Sequence, residues 1–226
     1  MSQAYRYEPV GLEDVAPISA EEIRGRQHLA RQAAAGAGYD ALLVVGRSFY
    51  DRPGDLAYLS NHFPPFPTTV FSEGNRGMGH AMLLLPVVGE PVLLTDARKH
   101  RPDLVVIDDV RAAGDLGAGL IALLQETFLE DGNLGLIGDD ILPAAIDRQL
   151  LQELPGLTLE PDPFILANLR ANKSQSELAL LRRAALCADA ALMTANAMIR
   201  RGRVTERDVC AEATAAALRA GADFVR

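Results

Sequence analysis

The sequence predicts an α/β fold in which a mixed sheet is flanked by helices. Three observations carry this. Short apolar runs of strand length recur along the first three quarters of the chain. One pair of them, AMLLLPVVGEPVLLT at 81–95, reads as a hairpin, which makes adjacent strands antiparallel. Other runs are separated by amphipathic helical patterns, which make adjacent strands parallel.

Taken in order, residues 1–18 are polar, contain Pro9 and Pro17, and read as an arm. Ser19 and Glu22 have capping-box spacing, in which each side chain satisfies a free backbone N–H of a first helical turn. Ile23, Leu29, Ala30, Ala33 and Ala34 supply the apolar stripe, and Gly36-Ala37-Gly38 ends the helix. DALLVVG at 40–46 is a short apolar run fed by that helix and reads as a buried strand. Residues 47–79 read mostly as loop, with Pro53-Gly54 and Pro64-Pro65 as punctuation and one apolar stretch, LAYLS. Gly89 is the turn residue of the hairpin that follows. DLVVID at 103–108 reads as a further strand, 115–130 as a helix, and NLGLIG as a strand. Pro143 suits a first helical turn, where its missing N–H would be unpaired in any case, and that helix runs to about Leu154. LTLEPD reads as a last strand.

From Lys173 the pattern becomes purely helical. Ser174 and Glu177 form a second capping-box pair. Leu178, Leu181, Ala185, Ala188, Leu192, Ala195 and Ile199 then recur at steps of three and four, which places them on one helix face. Arg200, Arg201 and Arg203 crowd the C-terminal end, where positive charge suits the helix dipole. Thr205 and Asp208 open a second helix that continues to Gly221. The second apolar flank of the first helix, Leu180, Leu186 and Met193, is too wide for a two-helix contact. Left wet, such leucines forfeit on the order of several kcal/mol. The pair at 174–220 is thus expected to belong to a second domain whose sheet this chain does not contain. The expected organisation is an arm at 1–18, an α/β domain at 19–165, and the first helices of an incomplete domain at 166–226.

Composition narrows the function. The 226 residues are 49% hydrophobic, ample for a core, so disorder is not expected. The net charge is −8, from 22 basic and 30 acidic residues, and such a surface repels a phosphate backbone. There is no Trp, and with few aromatic residues a stacking platform for single strands is not expected either. Cys187 and Cys210 lie far apart without metal-binding or redox spacing and read as buried thiols of a reducing compartment. The N-terminus lacks the apolar core of a secretory signal, and no apolar run is long enough to span a bilayer. A cytoplasmic protein without nucleic-acid or membrane partners is expected.

Motifs for catalysis are sparse. His28, His62, His80 and His100 form no metal-binding spacing. Asp108-Asp109 and Asp139-Asp140 are adjacent pairs at strand ends, and neighbours on a strand point to opposite faces, so neither makes an acid/base dyad. GNRGMG at 74–79 has the wrong glycine order for a phosphate loop and precedes a strand. The stretch HFPPFPTTVFSEGNRGMGH at 62–80 stands out, because Phe63, Phe66 and Phe71 on a proline-stiffened segment suit a recognition surface.

KSQSELALLRRAA at 173–185, with the CADAALMTANAMIRRGRVTERDVCAEATAAALRAGADFV that follows, resembles the opening helices of the catalytic pita-bread domain in the creatinase/prolidase/aminopeptidase P family, the M24-type metallopeptidases. RGRQHLARQAAAGAGYDALLVVG, LAYLSN and AMLLLPVVGEPVLLTDA resemble the creatinase-type N-terminal domain of the same family. The resemblance spans roughly residues 19–226. It implies a parent enzyme that is a homodimer and hydrolyses an amide-like C–N bond with two divalent metal ions (Mn, Co or Zn). Xaa-Pro peptides are the implied substrates, with small guanidino or cyclic-amide compounds as the alternative. The family's metal ligands, two aspartates, a histidine and two glutamates, lie downstream of these helices, so the resemblance implies no metal ligand and no catalytic residue in this chain. Asp223 lacks the strand that carries the first ligand and receives no metal role. The implied roles of the chain are dimerisation and substrate access. The family's N-terminal domain lends a loop to the partner subunit's active site. By position that loop is 62–80, with Arg76 to pair with a substrate carboxylate and His80 to donate a hydrogen bond to the same ligand. The rival expectation is a stand-alone, non-enzymatic module whose 62–80 segment captures a ligand or a protein.

Overall fold

The computed structural model describes residues 15–66, 79–96 and 100–225. It divides into two compact units. Of the described residues, those within 20–172 form one, and 173–225 with 15–19 form the other.

The larger unit is a six-stranded sheet between two helical layers. Its elements are α1 (Ala20–Ala37), β1 (Ala41–Arg47), α2 (Gly54–Ser60), β2 (His80–Pro86), β3 (Val92–Asp96), β4 (Asp109–Ala113), α3 (Leu116–Glu126), β5 (Asn133–Ile137), α4 (Ala144–Glu153), β6 (Thr158–Pro161) and α5 (Phe164–Ala171). Strand order is β4-β3-β2-β1-β5-β6. β2 runs antiparallel to both its neighbours, and the other contacts are parallel. Five strands therefore point one way and β2 alone points back. The β2–β3 hairpin is registered with Leu83 opposite Leu93, as the alternation of its residues requires.

Burial on both faces explains why the central strands read as unbroken apolar runs. One face carries Leu43, Val45, Met82, Leu84 and Leu94 against Leu120 and Leu124 of α3 and Ile146 and Leu150 of α4. The other carries Leu42, Val44, Leu83, Leu85 and Leu93 against Ala30 and Ala34 of α1, Leu56 and Leu59 of α2, and Leu166 of α5. At Gly46 a methyl group would lie 2.5 Å from Leu56 Cδ2, so the absent side chain is what lets α2 seat against β1.

Several expectations are corrected. DLVVID at 103–108 is not a strand. Leu104 and Val105 donate to Arg101 O in a turn, Val106 donates to Ser60 O, and Ile107 is buried, so the apolar run anchors a crossing segment. The strand, β4, begins where that run ends. LAYLS lies within the α2 helix, and α5 occupies a stretch with no expected element. On α1, Leu29 is about half exposed, and Arg26 and Gln27 take the buried positions beside Ile23 and Ala30. Cys187 is buried, but Cys210 is exposed; both are free thiols.

In the second unit, α6 (Gln175–Arg201) and α7 (Glu206–Arg219) are the two expected helices. Both capping boxes form. Ser174 Oγ accepts from Glu177 N at 3.1 Å while Glu177 Oε2 accepts from Ser174 N at 2.8 Å. Asp208 and Thr205 repeat the exchange on α7. Within the two helices only Cys187 and Ala217 are buried.

Candidate functional site

Five parallel strands bring their carboxyl ends to one edge of the sheet. After β1 the chain turns toward β2, β3 and β4; after β5 it turns the other way, toward β6. In open α/β sheets such a reversal leaves a crevice at the carboxyl ends of the two strands. Here the 47–52 turn after β1 and the Asp139–Ile141 turn after β5 flank it, and Arg52 Nη2 bridges to Asp140 Oδ2 at 2.8 Å.

The turn after β1 is fixed by Ser48, which is almost fully buried. Its N–H donates to Gly79 O at 2.7 Å, its carbonyl accepts from Asp51 N at 2.8 Å, and its Oγ accepts from Tyr50 N. Phe49 N donates to Pro64 O at 2.7 Å, tying this turn to the segment after α2. The tie assembles an aromatic group from two separate stretches. Phe49 and Tyr50 meet edge to face with centroids 6.1 Å apart, and Tyr50 and Phe66 do the same at 6.1 Å. Such pairs are the favoured geometry of ring quadrupoles. Phe63 and Phe66 are nonetheless more than half exposed, at 52% and 55%. Phe71 and Arg76 lie outside the described residues.

His80 opens β2 opposite Arg47 of β1 and is buried. Immediately before it, Gly79 N donates to Asp96 Oδ2 at 2.8 Å. His62 enters the same neighbourhood from the end of α2. Asn61 caps that helix in the left-handed conformation, and its Nδ2 donates to Leu104 O at 3.0 Å. Ser60 Oγ donates to Leu56 O and accepts from His62 N at 3.1 Å. Burial, aided by the nearby His100, depresses the His62 pKa to about 4, and Asp96 opposes the shift. The edge thus gathers His62, His80, Asp96 and His100. Of these the sequence marked only His80 for a role. Asp96 carries no motif, and its importance comes from the register that sets it beside Gly79 and His80.

Among the described residues no group of three or more His, Cys, Asp or Glu side chains could hold a metal ion. The Asp108-Asp109 pair resolves into separate roles. Asp109 lies on β4 and takes a fork of bonds from Arg111, which also reaches Glu126 at 2.6 Å. Those bonds hold both carboxyls below their usual range. No helix of the described residues is long and apolar enough to cross a membrane.

No protein-family model matches the sequence, and no curated protein matches it. Structural comparison does find likenesses. The prolidase from Pyrococcus horikoshii OT3 superimposes with a TM-score of 0.65 and 17% identity, over 90% of this chain and 50% of that one. The dipeptidase PepE from Mycobacterium ulcerans gives 0.62 and 22%, over 93% and 53%. The Xaa-Pro dipeptidase from Bacillus anthracis gives 0.64 and 20%, over 89% and 50%. The chain therefore spans about half the length of each of these three structures. In fold, it is the counterpart of about half of a prolidase or Xaa-Pro dipeptidase, and this fits the creatinase-type α/β domain that its sequence resembles.

Proposed function

We propose that this chain is the N-terminal, non-catalytic portion of a dinuclear-metal-dependent hydrolase of the Xaa-Pro aminopeptidase, prolidase or creatinase kind, serving dimerisation and substrate access. The carrying observation is the coverage: nine-tenths of the chain superimposes on half of a prolidase. The exposed apolar surface of α6 and α7 supports the same reading. A helix pair with only two buried side chains is expected to gain further cover from a sheet. On this reading the metals of the parent would be held by that other half. Xaa-Pro peptides are the expected substrates and the cytoplasm the expected compartment. Arg76 and His80 are the proposed contacts to substrate in a partner subunit's site.

The test has two arms. The reading frame past codon 226 should continue into strands that bear aspartates. The 226-residue chain, given an Xaa-Pro dipeptide with Mn2+ or Co2+, should show no turnover, and measurable hydrolysis would overturn the proposal. In the complete parent, Arg76→Ala should raise KM for Xaa-Pro dipeptides by about tenfold or more, the loss of a charge-assisted contact. The exposed aromatic group of Phe49, Tyr50 and Phe66 favours a second reading, a stand-alone binding module. A frame that stops at codon 226 would support it.

A further inference from the structure

The two ends of the stretch between α2 and β2 are seated in one buried polar neighbourhood. At its start, His62 is 4% exposed, and its Nε2 is buried without a hydrogen-bond partner. At its end, Gly79 N is held by Asp96, itself buried. Thr95, one residue before Asp96, is buried as well, and its Oγ1 also lacks a partner. Among the described residues the charged or titratable groups that act on His62 are His100, a like charge when protonated, and Asp96. Asp96 already accepts the Gly79 N–H. Such a setting tolerates a neutral imidazole and rejects an imidazolium, which would carry two N–H donors into a place with no acceptor for Nε2.

We propose that His62 is an acid-sensitive latch at the end of α2: the neutral ring stays buried in the neighbourhood of Asp96, and protonation expels it and loosens residues 60–66 and 79–82. The inference stands apart from the hydrolase reading, because it uses only groups of the larger unit. The direction follows from linkage. The ordinary histidine value is 6.5, and the seated ring sits near 4 because of its burial and His100. The open form therefore binds more protons between these values. The latch is fully closed above about pH 6.5 and weakens as pH falls toward 4. At pH 5 the opening equilibrium should rise on the order of tenfold or more over that at pH 7.5.

Amide hydrogen exchange on the full chain, corrected for intrinsic rates, tests this. Protection of 60–66 and 79–82 should fall about tenfold or more from pH 7.5 to 5, while Leu42 to Val45 stay unchanged. In His62→Gln the protection should be flat with pH within about twofold. Equal protection at both pH values in the wild type would overturn the latch, and so would an unchanged loss in the variant. The His62 ring, followed by NMR in the wild-type chain, should titrate well below 6; a midpoint near 6.5 would overturn the proposal without any variant. Should His62→Gln fail to fold, His100→Asn serves, because removing the like charge should lessen the acid loosening. A loosening that is unaltered or stronger in that variant counts against the latch.

Discussion

Gln27 occupies a position on α1 where the sequence pattern placed no buried side chain. It is nearly sealed from solvent, and its Nε2 donates to Leu59 O at 2.7 Å and to Val106 O at 3.1 Å. It thus satisfies the end of α2 and the crossing segment together, a pairing that no local pattern announces. Gln27→Met keeps the volume and strands both carbonyls, so it should lower stability by about 1–3 kcal/mol. Gln32→Met, on the exposed side of the same helix, should change stability by less than about 0.5 kcal/mol. Urea midpoints of the two variants check this. Tyr58 presents a similar case. Arg26 lies 4.3 Å above its ring and Arg170 5.9 Å from it, and Arg170 also pairs with Asp55. Neither arginine was distinguishable in the sequence from a solvated charge, because the ring that orders them is remote in the chain.

At the level of elements, the apolar runs that fill the sheet centre were legible because burial on both faces leaves few positions for polar residues. β1, the β2–β3 hairpin and β5 all stand where those runs are. The runs that failed as guides were those with only one apolar side to satisfy. DLVVID uses Ile107 to anchor a crossing and leaves the pairing to the more polar DVRAA of β4, where Arg111 is held by Asp109 and Glu126. GDLAYLS is too short for a helical period to show. Its seat against β1 depends on Gly46, whose bare backbone admits Leu56. Gly46→Ala should therefore cost about 1–3 kcal/mol through overpacking. Gly25→Ala, inside α1 with nothing within 4 Å of the added carbon, should stabilise the chain by about 0.4–1 kcal/mol. Thermal denaturation of the pair would show opposite shifts.

For the whole molecule, the division into 20–172 and a helical remainder reflects where apolar surface finds cover. α6 follows its expected period, yet Leu181, Leu192 and Ile199 on the expected apolar face are 52%, 67% and 62% exposed. α6, α7 and residues 221–225 leave between them a groove of about 610 Å³ lined by Leu180, Ala184, Cys187, Leu192, Phe224 and Val225. The double variant Leu181→Ser, Leu192→Ser should leave the unfolding midpoint of the 20–172 unit unmoved while reducing binding of an apolar dye. A matching fall in that midpoint would show that these leucines support the larger unit. The candidate site was only partly legible. His80, Phe63 and Phe66 could be named from their segment, but Phe49 and Tyr50 join them only through the fold, and Asp96 and His62 acquire meaning from register and helix termination, which join positions some thirty residues apart.

One edge of the sheet has a bearing on assembly. Thr158 N and Asp162 N donate inward to Gly132 O and Leu136 O, so Leu159 and Pro161 are the positions of β6 that turn their backbone nitrogens outward. Proline has no hydrogen there to give, which leaves Leu159 as the sole outward donor on that strand. A foreign strand laid along β6 would find too few bonds to extend the ladder. Any twofold association of this protein through that side must rest on side-chain complementarity, and the same proline protects the bare margin from fibrous stacking.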